Sequence, residues 1–92
     1  MNDVAENYLP VPGSMPLRLT QEGEWGRIVE IRGGGGVRER LAALGLRPGV
    51  SVQVVCNPMD GKLLLDHAGT RLYLGGGMAH KIQVIVTKGD ER

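Results

Sequence analysis

Apolar positions recur along this chain in two different periods, and the change between them marks out its elements. Val37, Leu41 and Leu44 are spaced i, i+4 and i+7, which places them on one face of a helix. Arg38, Glu39 and Arg40 fall elsewhere on the wheel, while Ala42 and Ala43 favour helix without adding a second apolar stripe. Gly45 stands where a left-handed C′ residue is wanted. Leu41 and Leu46 then become the C3 and C″ positions that meet in a Schellman ending. Pro48 cannot continue a helix, and Pro48-Gly49 suits a turn into the next strand.

Elsewhere the period is two. Leu17 and Leu19 alternate with Arg18 and Thr20, predicting a short strand that stops at Gln21-Glu22-Gly23. Residues 25–32 predict a second strand, in which Ile28, Val29 and Ile31 break the alternation and call for a bend or bulge. Val50, Val52 and Val54 alternate cleanly with Ser51 and Gln53. After a turn cluster at 57–61, residues 62–67 return with Leu63 and Leu65 on one face. Ala68-Gly69 turns the chain again, Leu72 and Leu74 point inward, and Ile82, Val84 and Val86 form the last strand. Glycine runs at 33–36 and 75–77 interrupt the pattern, and Met78-Ala79-His80 offers one helical turn.

These segments give a domain over residues 15–87. Residues 1–14 lack periodicity and read as a flexible extension, and residues 88–92 as a charged tail. Five or six short strands, tight turns and one short helix describe a mainly β fold, a small SH3-like barrel, with an OB-like barrel as the alternative. Composition agrees: 15 glycines and 5 prolines supply turns, and 41% hydrophobic content is ordinary for a packed domain. Eleven basic and ten acidic side chains leave a formal charge of +1, so there is no nucleic-acid or membrane-surface footprint. Cys56 is the only cysteine, which rules out an intrachain disulfide and fits a reducing compartment. The acidic start has no apolar core, and no run approaches the ~20 apolar residues of a membrane span. A cytoplasmic protein without direct membrane insertion is expected.

The ordered pattern resembles a known family. Its parts are Leu17-x-Leu19, Gly23-x-x-Gly26-x-Ile28-x-x-Ile31, Arg40-Leu41-x-x-Leu44-Gly45-Leu46-x-Pro48-Gly49, Val52-x-Val54 and Ala79-x-x-Ile82-x-Val84. It is similar to FeoA, the small cytosolic protein of bacterial ferrous-iron uptake, and to the SH3-like domain that ends iron-dependent repressors. The resemblance implies an SH3-like barrel that assists FeoB, the membrane ferrous iron permease with a GTPase domain. A repressor is not expected, because nothing in the chain reads as a helix-turn-helix.

The candidate chemistry is sparse. Cys56, His67 and His80 sit in no spacing that supplies a nucleophile with its base, so no enzyme is expected. If Cys56 pairs with Lys62 across the turn, His67 lies about 16 Å along the strand, too far to share a metal whose bonds are about 2.0–2.3 Å long. His67 with His80 remains a weak metal candidate, and no cofactor is expected. The glycine run before Val37-Arg38 lacks the Lys-Ser/Thr of a phosphate loop. Trp25 and Tyr73 are too few aromatics for a nucleic-acid platform. The expected function is therefore non-enzymatic contact with the iron permease, the alternative being a small metal-binding or metal-sensing protein. The expected contact residues are Trp25, Arg38, Arg40, Arg47 and Tyr73, carried by a frame of Leu41, Leu44, Gly45, Leu46, Pro48 and Gly49. Weak self-association is left open.

Overall fold

β-Branched and leucine-rich segments separated by glycine turns fold into one six-stranded antiparallel sheet, curled as an SH3-like half-open barrel. The structure, a computed structural model, describes residues 11–60 and 62–88. The expected extension up to residue 10, turn position 61 and the tail from residue 89 lie outside the described residues. In chain order the elements are β1 (Met15–Pro16), a 3₁₀ turn (Leu17–Leu19), β2 (Trp25–Ile31), α1 (Val37–Ala43) and β3 (Ser51–Cys56). Then come β4 (Leu63–His67), β5 (Thr70–Leu74), α2 (Gly76–Ala79) and β6 (Ile82–Thr87). The strands lie in the order β1-β6-β2-β3-β4-β5.

The broken alternation in β2 is a bulge at Val29. The register against β6 slips between Ile28 and Glu30, so Ile28 and Ile31 both reach the core. A second slip, between Val54 and Cys56, was not legible in the sequence. It pairs Cys56 with Leu64 rather than with Lys62 and leaves the thiol exposed. The β4–β5 hairpin closes on Ala68 and Gly69, both at positive φ (53° and 86°), the geometry of a type I′ turn. Asp66 Oδ1 accepts the Gly69 N–H at 3.1 Å and steadies it.

The expected first strand is corrected. Only Met15 and Pro16 pair in the sheet, and Leu17 to Leu19 coil into a 3₁₀ turn. Burial there follows period three, not two. Leu17 and Thr20 are buried, whereas Leu19 lies on the surface. The Thr20 hydroxyl donates to the Leu17 carbonyl at 2.6 Å and closes the turn.

The core runs the length of the barrel through Leu17, Ile28, Leu41, Leu46, Leu65 and Val84, all fully buried. β2 and β6 approach closely because residue 26 has no side chain: a Cβ there would lie 3.0 Å from the Val84 Cβ. No helix among the described residues is long and apolar enough to cross a membrane.

Candidate functional site

The helix α1 ends as its sequence demands. The Gly45 N–H donates to the Ala42 carbonyl and the Leu46 N–H to the Leu41 carbonyl, both at 2.9 Å, with Gly45 at φ 87°. Those two bonds are the Schellman pair. The Val50 N–H donates to the Arg47 carbonyl at 3.1 Å, with Pro48 and Gly49 (φ 98°) between them. Pro and a left-handed Gly in the two central positions are what a type II turn requires. The Gly49 N–H then reaches the Ile28 carbonyl at 2.7 Å and fixes the helix exit to β2.

This ending corrects one expectation. The helical period assigns Leu44 to the buried face, but Leu44 is the C-cap residue and is 45% exposed. The chain reverses at Gly45, and Leu46 joins Leu41 in the core while Leu44 stays at the rim. Arg40, four residues before Leu44, neighbours it on the helix surface, and Arg47 follows at the exit. Arg40, Ala43 and Arg47 are all exposed. A leucine flanked by two arginines is thus held on a capped, doubly anchored segment. Sequence reasoning passed over Leu44 as a surface residue, although its C-cap position was already implied by Gly45.

The expected contact residues do not all meet. Arg38 turns back toward the sheet, its Nε donating to the Ile31 carbonyl at 3.3 Å. Trp25 starts β2, six residues from Ile31, about 20 Å along the strand. It shares the outer face with Arg27 and is half-buried between Gln53 and Thr87 of the adjoining strands, so it does not plug the barrel. Tyr73, 75% exposed, lies on β5, three strands from β2.

His67 is half-buried at the end of β4. Its Nδ1 lies 3.4 Å from the Ser51 carbonyl, and its Cδ2–Nε2 edge faces Gly45. His80 is exposed after α2. Among the described residues, no three His, Cys, Asp or Glu side chains are placed to hold a metal ion.

A buried staple was also missed. Asn57, read only as a turn residue, is 8% exposed and uses its whole amide. Its Nδ2 donates to the Arg18 and Thr20 carbonyls (3.0 and 2.7 Å), and its Oδ1 accepts the Met59 N–H at 3.0 Å. Its own N–H donates to Glu22 Oε2 at 2.8 Å. Beside it Leu19, Gln21, Glu22 and Met59 line a shallow cleft.

A capped helix riding on a half-open, six-stranded barrel defines a small domain of the SH3-like class. The family model for the FeoA domain matches residues 15–86, and the chain belongs to that family. Among solved structures it is similar to an iron uptake regulatory protein (FeoA), with 31% identity and a TM-score of 0.76 over 80% of this chain and 99% of that one. It is also similar to the FeoA protein of Chlorobium tepidum, with 27% identity and a TM-score of 0.71 over 84% of this chain and 74% of that one. A manganese-dependent transcriptional repressor shares the fold at 19% identity and a TM-score of 0.77, over 90% of this chain and 47% of the repressor. No curated protein sequence matches.

Proposed function

We propose that this protein is a non-enzymatic, cytoplasmic accessory factor of ferrous-iron uptake that acts by contact with the GTPase domain of a FeoB-type membrane permease. Membership of the FeoA family and likeness to an iron uptake regulatory protein support the iron-uptake setting. One observation carries the contact surface: Leu44, apolar and 45% exposed, lies one helical turn after Arg40 and three residues before the exposed Arg47, on a segment fixed at both ends. A rigid platform loses little entropy on docking, and arginine is among the residues that most often anchor an interface. The partner surface that fits it is a small apolar depression bordered by carboxylates.

The test is an NMR titration of the labelled protein with the isolated GTPase domain. Amides of residues 40–49 are expected to shift most. Leu44→Asp and the pair Arg40→Glu/Arg47→Glu should fold normally yet bind at least about tenfold more weakly, a loss of about 1.4 kcal/mol. Undiminished binding by both variants would place the contact elsewhere on the barrel.

A further inference from the structure

The two edges of the sheet are treated differently. β1 is two residues long and carries Pro16, which has no N–H to offer an incoming strand. β5, at the other edge, is five residues of Thr-Arg-Leu-Tyr-Leu with no proline and no register slip, and its one charge, Arg71, lies 3.8 Å from Asp66 Oδ2 of its own chain. Such an edge is open to pairing unless something blunts it.

The hairpin sets which backbone groups face outward. In a two-residue turn the flanking pair, His67 and Thr70, exchanges hydrogen bonds, and the pattern then alternates along the ladder. Thr70, Leu72 and Leu74 therefore spend their N–H and C=O groups on β4. Arg71 and Tyr73 direct theirs to the free edge, where no further strand lies among the described residues. Both side chains are exposed on the outer face, whereas Leu72 is half-buried on the inner one.

We propose that β5 pairs antiparallel with β5 of a second copy of this chain, about a two-fold axis through Leu72. The sequence is self-complementary in that register. Arg71 of one copy faces Tyr73 of the other, so the two outward-facing residues of each strand exchange all four bonds. The same register lays each guanidinium against the other copy's exposed phenol ring, a favourable cation–π arrangement. Leu72 meets its own counterpart on the inner face as a close non-hydrogen-bonded pair. A two-fold contact closes on itself, so the assembly stops at a dimer. It uses none of Arg40, Leu44 or Arg47 and is independent of the permease contact.

The contact is small, so dimers should form only at high concentration. Sedimentation velocity and amide spectra of the full chain, compared between about 20 µM and about 1 mM, read this equilibrium. The wild type should move toward a dimer, with shifts concentrated at residues 71–73. Tyr73→Pro removes an outward N–H without touching the β4 ladder, and Tyr73→Lys sets a like charge beside Arg71. Each should lower the association constant at least about tenfold while the β2–β6 resonances stay in place. If the proline variant fails to fold, the lysine variant decides the question. A wild type that stays monomeric at the higher concentration overturns the proposal. So do association that survives Tyr73→Lys unchanged, shifts centred on another strand, and growth beyond a dimer.

Discussion

Gly45 and His67 are fitted to each other. A Cβ on residue 45 would stand 3.1 Å from both Cδ2 and Nε2 of the imidazole, in a residue already held at φ 87°. Glycine is required twice over, once by the left-handed backbone and once by the ring packed against it. Gly45→Ala should therefore destabilise by about 2 kcal/mol, of which the backbone accounts for about half. In a His67→Ala background the steric part disappears, and the same substitution should be milder by at least about 0.5 kcal/mol. Urea unfolding of the four proteins in the cycle measures this. Equal losses in both backgrounds would mean that the ring swings aside freely.

Leu41 and Leu44 look alike on a helical wheel and should behave oppositely. Leu41 is fully buried, and truncation to alanine should cost about 2–5 kcal/mol. Leu44→Ala removes a side chain 45% exposed at the C-cap, and should stay within about 0.5 kcal/mol of wild type. Denaturant midpoints at equal slope compare the two directly. A large loss at Leu44 would show that it packs inward and would remove it from the contact surface.

What the sequence disclosed depended on how local each cause was. The Gly45-Leu46 ending, the Pro48-Gly49 turn and the alternation in β3 were readable because a few neighbouring residues dictate them. The slip at Val29 was readable too, since three apolar residues in four cannot alternate. The slip before Cys56 was not, because Val54, Val55 and Cys56 fit the pattern either way and the partner strand decides. Leu17-Arg18-Leu19-Thr20 satisfies a strand period, but Pro16 and the Thr20 hydroxyl bond turn it into a 3₁₀ coil. Asn57 was the hardest to see. Its partners Arg18 and Thr20 lie 39 and 37 positions away in the chain, and only the fold brings them together.

Ferrous iron should bind the isolated protein only weakly. His67 has its Nδ1 3.4 Å from the Ser51 carbonyl, and its Cδ2–Nε2 edge packs against Gly45. Cys56 pairs with Leu64, three residues short of His67, about 10 Å along the strand, so the two cannot share one ion. An anaerobic calorimetric titration checks this. Sub-micromolar affinity at one site per chain would favour a metal-sensing protein over a contact module.

The polar residue that matters most to the barrel should be Asn57. It ties the turn after β3 to the segment leading into β2, and its side-chain amide and its own N–H all have partners inside the protein. Asn57→Ala removes the side-chain donor shared by the Arg18 and Thr20 carbonyls, which water cannot easily replace at a site 8% exposed. The expected loss is about 2–3 kcal/mol. Asn57→Asp is nearly isosteric and keeps the acceptor for Met59, so a purely steric role would leave it mild. The hydrogen-bond account predicts the reverse. A carboxylate oxygen would face two carbonyl oxygens 2.7–3.0 Å away, with the Glu22 carboxylate close by, and the loss should exceed that of alanine. Raising the acidity should narrow the gap between the two variants, because the introduced carboxyl, once protonated, regains one donor while alanine regains none. Chemical denaturation at neutral and mildly acidic pH reads both effects. An aspartate variant no worse than the alanine one at neutral pH would show that Asn57 fills space and holds nothing.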